Sequence, residues 1–550
     1  MSSVAVSLDP LTLHWGLSKS ASSALTTSVP WRTSRTARSK DRQLADAARQ
    51  WLLRSSQAGD MSTSIHDALA CLSWAYVVAE SPSPLADDLR TELAAALERQ
   101  ASDFARQGAA SSPLIHQLLA IELLWPLRLA EGAPSLLDAA GRNSQAAALG
   151  DLLASSLTMW LDAESTPLPP ALPHSALLLA SLARCARWWR DAGLAGWSDN
   201  LAARLDAFTQ AVIRLARPVG APMFSDTELV GESAAVIAAA LELCAHVETR
   251  ILATTAALIE IPKRSPAHVP PLPSDYSNAA GLATMRSDWS RTAVRVACSF
   301  ADSQSRAEID CQGRRLLEGT WQAHVAIDGR PLEPISPWTE TLWFTDEEVD
   351  YLEWSMDLSD GWNLQRQFLL CRESKLVFIA DAVLGDRPAQ IDYRLEWPLA
   401  AGVQGSAAEE THEWKLNGPK PLAYVLPLSF PEWRAAPWQG ELRADSGMLT
   451  ASSRQTGDSL YMPLLLATDR KLLSRPLTWR RLTIAENLEV VPRDMAAGYR
   501  VQFGGRHWLF YQALSRKGNR SLLGQNVAGW FFAAEIKKDG SADPLVRIDE

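Results

Sequence analysis

The residues able to do acid–base chemistry near neutral pH are spread thinly along this chain. Its nine histidines, His14, His66, His116, His174, His246, His268, His324, His412 and His507, never fall within a few residues of one another. A metal site would have to be assembled from distant segments, so no metal is expected. No GxGxxG, P-loop, GxSxG elbow or HExxH occurs, so nicotinamide, nucleotide, esterase and zincin chemistry lack support and no cofactor is implied. His116 closes the segment Ser111-Ser112-Pro113-Leu114-Ile115-His116 at a helix start, where an imidazole can face a cleft or sit satisfied on the helix surface. Tyr276 lies just past a proline-rich stretch, placed to act as a base or to anchor a loop. Arg286 and Arg306 carry the forked guanidinium that grips a carboxylate through two parallel hydrogen bonds, with Asp288, Glu308 and Asp310 as rival partners. His324 sits on an alternating segment and can equally point to solvent. Arg470, Lys471, Arg475, Arg480 and Arg481 read as a solvated basic face.

Composition narrows the partners. At 550 residues the chain exceeds what one hydrophobic core usually supports, so two domains are expected. Hydrophobic residues at 47% and charged residues at 21% are ordinary globular usage. A net charge of −10 disfavours a general nucleic-acid role, which needs a broad positive surface. No stretch approaches the ~20 apolar residues of a membrane span, and the opening lacks a basic region followed by an apolar one. These features predict a cytoplasmic protein that does not engage membranes. The six cysteines are scattered with no CxxC pair, as expected of buried small hydrophobes in a reducing compartment. The 22 tryptophans are far more than usual; most must fill cores, but indole is also a flat surface for stacking on sugar rings.

The elements that would hold these residues fall into two classes. Residues 1–41, including the basic run WRTSRTARSKDR at 31–42, read as an exposed lead-in. Apolar stripes at helical spacing predict helices over Arg42–Ser55, Ile65–Glu80, Pro84–Gln107, Pro113–Leu129, Ser135–Asp162, Ser175–Ala192 and Gly196–Ala216. The last runs from Asp226 to about Ile259, with Ser225 and Glu228 spaced as a capping box. About eight helices with short connectors make antiparallel pairs over residues 42–261. Prolines concentrate in PKRSPAHVPPLPSD, marking a linker over 262–282. Beyond it the helical period gives way to alternation. Val349–Leu358, the turn Ser359-Asp360-Gly361, Trp362–Cys371 and Lys375–Leu384 form a meander, and Asp328-Gly329 is a tight-turn signal. Residues 283–550 therefore read as an antiparallel β-sandwich, an α+β two-domain chain overall.

The passage from helices into MRSDWSRTAVRVACSF, then IDGRPLEP, then RQFLLCRESKLVFIADAVLG resembles the heparinase II/III-like polysaccharide lyase family. The specific part of the likeness covers about Ala283 to Leu384. The resemblance implies an incomplete α/α toroid followed by an antiparallel β-sandwich, with a cleft between them that cleaves uronic-acid polysaccharides by β-elimination. That reaction needs a group to neutralise the uronate carboxylate, a base for the C5 proton and an acid for the leaving oxygen. On this reading His116 and Tyr276 are the catalytic candidates. Arg286 and Arg306 would hold the carboxylate, Trp289 and Trp321 would stack on sugar rings, and the partner is an acidic polysaccharide or oligosaccharide. The chain departs from the family where a His-x-His-x-Asp type segment is usual: it reads Arg306-Ala307-Glu308-Ile309-Asp310. The Asn-Asn-His type motif at a toroid helix start has its nearest equivalent in the segment ending at His116, without the asparagines. Either activity is lost or another set of residues performs it. Two other functions stay open: a non-catalytic glycan-binding or scaffold protein, and an α/α-toroid glycoside hydrolase working with two facing carboxylates.

Overall fold

The computed structural model describes residues 10–29, 38–57, 64–80, 84–107, 112–129, 139–194, 197–244, 246–256, 258, 271–300 and 303–549. Contacts divide the chain into two compact units, residues 1–270 and 271–550.

The first unit is helical. Its α-helices are α1 (Lys19–Ser28), α2 (Arg38–Gln57), α3 (Ile65–Ala79), α4 (Asp87–Gln107), α5 (Pro113–His116), α6 (Leu124–Leu129), α7 (Ala139–Leu157), α8 (Ser175–Asp191), α9 (Asp199–Leu215), α10 (Ala234–Leu241) and α11 (Val247–Thr255). Local chemistry sets several of their ends. Ser64 accepts a hydrogen bond from the Asp67 amide at the start of α3, and Ser198 does the same for the Leu201 amide of α9. Asp87 and Asp88 stand in the first turn of α4 and Arg106 in its last, each sign matched to the helix dipole. The four-residue spacing of Leu89, Leu93 and Leu97 buries one stripe of α4, as the sequence predicted. Among the described residues no helix is long and apolar enough to cross a membrane.

Three expectations need correction here. The lead-in is not all exposed, because a 3-10 turn at Pro10–His14 and α1 bury Leu13, Leu17, Ala21, Leu25 and Val29. Residues 31–37 lie outside the described residues. Pro113–Leu129 is not one α-helix: a π-turn, Gln117–Glu122, separates α5 from α6. The turn carries two fully buried polar side chains to partners, Gln117 to Ser156 and Ser181, and Glu122 to Arg184. The helix expected over Asp226–Ile259 is two, α10 and α11. Residues up to Val230 are held instead by an extended bridge between Leu17 and Val230, and the Asp226 carboxylate accepts the Glu228 amide in a turn rather than a capping box.

The second unit is antiparallel β throughout. A five-stranded sheet runs β1 (Asp275–Ser277), β2 (Leu282–Arg286), β3 (Arg295–Ser299), β4 (Arg306–Cys311) and β5 (Arg314–Leu317). The largest sheet contains β6 (Gln322–Ile327), β7 (Arg330–Pro331), β8 (Thr339–Thr345), β9 (Val349–Asp357), β10 (Asn363–Cys371), β11 (Leu376–Pro398), β12 (Gln404–Ala407), β13 (Trp414–Asn417), β14 (Pro421–Pro427), β15 (Gly440–Asp445) and β16 (Met448–Ala467). A short α12 (Arg470–Leu473) precedes β17 (Leu477–Arg481), β18 (Ala485–Glu486), β19 (Glu489–Val490), β20 (Ala496–Phe503), β21 (Arg506–Ala513), β22 (Arg520–Leu522), β23 (Gln525–Val527), β24 (Phe531–Ile536) and β25 (Ala542–Ile548). The predicted meander β9–β10–β11 is present, and Asp360 and Gly361 both take the left-handed φ its turn requires. Asp328 and Gly329 do likewise between β6 and β7. Strand β1 and the first residue of β2 fall inside the stretch expected to be linker.

Alternation along the central strands explains the layering. In β9 and β10, Leu352, Trp354, Phe368 and Leu370 face a core shared with β2–β5, while Tyr351, Leu369 and Cys371 face a second core shared with β20, β21 and β24. The largest sheet is thus covered on both faces along these strands, so its side chains are buried at nearly every position. Among the described residues eight tryptophans are fully buried, three of them in the first unit, so indole here is mainly core material.

Candidate functional site

In the second unit the alternation of β2–β4 sorts chemistry from core. Ala283, Met285, Val296, Cys298, Ala307 and Ile309 face the shared core. The other face carries Arg286 opposite Arg295 and Arg295 opposite Asp310 in one row, Thr284, Ala297 and Glu308 in the next, and Leu282, Ser299 and Arg306 in the third. The two arginines chosen from the sequence therefore share one polar sheet face, two rows apart. Arg286 opposes the like charge of Arg295, and the Asp310 carboxylate stands in the same row.

Arg286 is held firmly. Its amide donates to Ser274 Oγ at 3.0 Å, and its carbonyl accepts from Arg372 Nη1. Both partners converge on Asp350: Ser274 Oγ donates to it at 2.7 Å and Arg372 Nη2 at 2.6 Å, with Thr345 Oγ1 donating at 2.7 Å. Burial pushes the Asp350 carboxyl up to about 6 against the pull of Arg372 and these hydrogen bonds. Trp289 comes together with Arg286, whose guanidinium lies 4.5 Å from the ring centre, and its indole N–H donates to the Pro271 carbonyl. Both side chains are buried in the structure.

Two sequence candidates stand differently from the expectation. Trp321 is 3% exposed, with Trp397 stacked at 5.0 Å and the Arg366 guanidinium 3.8 Å from its ring centre, which leaves no ring face for a sugar. Arg366 is itself locked by two bonds to Asp381, which also accepts from Tyr393. Tyr276 is wedged between Trp343 and Phe300, and burial beside Glu340 raises its hydroxyl far above the usual tyrosine range. It therefore stays protonated at neutral pH and is poorly suited to be a base. His324 is more than half exposed, on the opposite side of the core from the polar face.

In the first unit His116 ends α5 and is nearly buried. Burial lowers its pKa, so it is neutral at pH 7, and its Nδ1 has no hydrogen-bond partner among the described residues. The unit also contains a second helix-start histidine that sequence reasoning passed over. His174 precedes Ser175 at the start of α8, where no side chain caps the helix. The Asp226 amide donates to the Pro173 carbonyl at 3.1 Å, bringing the Asp226 carboxylate near His174. Gly16 packs against Leu177 of α8 and Val236 of α10, so the first turns of both helices meet one loop. His174 Nδ1 and the hydroxyls of Ser175, Ser225 and Ser233 have no hydrogen-bond partners among the described residues. Burial lowers the His174 pKa more than Asp226 raises it, giving a neutral imidazole at the start of α8. The signal was present as Leu172-Pro173-His174-Ser175, a proline and histidine at a helix start.

Among the described residues no group of three or more His, Cys, Asp or Glu side chains is arranged to hold a metal ion. No protein-family model and no curated protein matches the chain. Solved structures do. A mutant of heparan sulfate lyase HepC from Pedobacter heparinus matches with a TM-score of 0.56 over 93% of this chain and 91% of its own, at 11% identity. A heparinase III structure gives 0.57 over 85% and 80%, at 10% identity. A heparinase III gene product gives 0.54 over 94% and 92%, also at 10%. At these identities the likeness is one of fold, and the fold is heparinase-like: a helical region followed by a large antiparallel-sheet domain.

Proposed function

We propose that this protein acts on uronic-acid glycans as a polysaccharide lyase, by β-elimination. The observation that carries the proposal is the likeness to heparan sulfate lyases over nine-tenths of both chains. The side chains present suit the chemistry. Arg306 carries a guanidinium group on the polar sheet face for the acidic glycan, and the neutral imidazole of His174 is a proton acceptor at the start of α8.

The test is to give the full chain heparan sulfate, hyaluronan and alginate and follow the ultraviolet absorbance of the unsaturated uronate. Product should form from at least one glycan. His174→Ala should lower kcat by on the order of 100-fold or more, the usual contribution of a positioned acid or base. Arg306→Ala should weaken acidic oligosaccharide binding by about 1–3 kcal/mol. Reducing sugar released without the chromophore would replace the lyase by a hydrolase.

A second reading, a glycan-binding protein without turnover, is favoured by two observations: the protonated, wedged Tyr276, and β4 carrying Arg306, Glu308 and Asp310 instead of histidines. Calorimetric binding of an acidic oligosaccharide with no chromophore from any glycan would select it.

A further inference from the structure

Beyond β10, the C-terminal half of β11 turns one face away from the cores. Ile391, Tyr393, Leu395 and Trp397 stay inside, while Asp392, Arg394 and Glu396 point outward. Pairing with β6 and β16 sets these in rows: His324, Arg394 and Ser452 in one, Ala326, Asp392 and Arg454 in the next. They line an open groove of about 630 Å³, closed on one side by Gln439 and Gly440 at the start of β15. This groove lies across the hydrophobic core from the polar face of β2–β4.

Both guanidiniums that line the groove are already paired, one with the lining Asp392 and the other with Glu396 next to the lining residues on β11. Arg394 pairs with Glu396 at 2.5 Å, Arg454 pairs with Asp392, and His324 Nε2 is 3.8 Å from Glu396. His324, Arg394 and Arg454 remain more than half exposed. Two guanidiniums matched by two carboxylates give no net attraction for an anion. They do present guanidinium N–H donors and carboxylate acceptors at strand spacing, supplemented by the hydroxyl of Ser452 and the Gln439 amide. A sugar hydroxyl both donates and accepts, so a run of uncharged hydroxyls is the chemistry that satisfies such a surface.

We propose that this groove is a second saccharide site, which binds an uncharged stretch of a glycan chain and is distinct from the residues on which the lyase reading rests. Its test is calorimetric titration of the full chain with three neutral hexasaccharides, cellohexaose, maltohexaose and N-acetylchitohexaose, beside a hexasaccharide of alternating uronate. At least one neutral hexasaccharide should bind. The double variant R394A/R454A should weaken that binding about ten-fold or more, as loss of two charge-assisted hydrogen bonds predicts. Ser452→Tyr, which fills the floor and spares every charge, should do the same. His174→Ala should leave neutral binding unchanged, and the groove variants should leave chromophore release from short uronate substrates unchanged. The proposal is overturned if no neutral hexasaccharide binds, if the uronate hexasaccharide alone binds in the groove, or if both groove variants, with unaltered thermal transitions, bind as the parent does.

Discussion

Arg286 shows how a single residue can be legible in sequence while its support is not. The residue types Arg286 and Arg306 suggested carboxylate binding, and period-two alternation places both on one face of β2–β4. What fixes Arg286 is Asp350, reached through Ser274 and Arg372 across 76 and 22 residues of sequence, a distance no local pattern spans. Trp321 is covered by Trp397 and Arg366, both remote from it in sequence, so its burial was not legible there. The clamp on Arg286 has a measurable pH signature. The folded protein binds a proton at Asp350 up to about pH 6, whereas the unfolded chain releases it near the usual aspartate value. The folded state therefore holds more protons between about pH 4 and 6. The stability this contributes is fully present below that window and lost as pH rises through it. Asp350→Asn removes the titration while keeping a neutral side chain. Denaturant unfolding across this range should show the variant gaining up to about 3 kcal/mol relative to the parent as pH rises, from 1.36 kcal/mol per unit of pKa difference. A constant difference at all pH values would mean that Asp350 is already ionised when folded.

At the scale of elements, the helix with acidic residues in its first turn, α4, lay where the sequence put it, whereas the capping-box spacing of Ser225 and Glu228 and the apolar stripe through Pro113–Leu129 both misplaced a helix. The apolar stripe through Pro113–Leu129 continues across the π-turn, so periodicity reports one helix; the demand that Gln117 and Glu122 reach partners on α7 and α8 breaks it. The missed break before α10 has a different cause. Gly231 donates its amide to the Gly16 carbonyl, and a Cβ there would stand 2.4 Å from the Leu17 carbonyl oxygen. Glycine is needed because two backbones touch, a contact between residues more than 200 apart that no helical pattern encodes. Gly231→Ala must push residues 16–18 away, and with them the loop that packs on the first turns of α8 and α10. Overpacking of this kind typically costs about 1–3 kcal/mol. Thermal unfolding should show a lowered midpoint, and hydrogen exchange should quicken in residues 16–18 and 229–231 ahead of the β unit. Unchanged protection there would refute the close-approach argument.

The division of the whole molecule was the most legible feature, because it depends on hydrophobic period rather than on any single contact. A period near 3.6 runs to residue 255 and a period of 2 takes over by residue 275, with prolines between them. The boundary sits at residues 270 and 271. Each unit also has its own apolar interior. In the β unit the largest sheet supplies one face to β2–β5 and the other to β20, β21 and β24, while Leu509, Tyr511 and Phe532 turn to a third core with Leu522 and Val527. Stacked layers of this kind bury the central strands on both faces. In the helical unit α3, α6 and α8 are buried on nearly every side, which gives it a centre of its own. Such interiors imply that residues 1–270 and 271–550, expressed separately, each fold. Circular dichroism should then show a helical spectrum for the first and a β spectrum for the second, each lost in a cooperative thermal transition. The β half should be the more robust, because its strands are tied by long ladders such as β11–β16, paired from Leu376–Ala467 to Pro398–Met448. A second half that shows no cooperative transition would mean that its layered cores are insufficient alone, and a mixed helix and strand spectrum from either half would contradict the division itself.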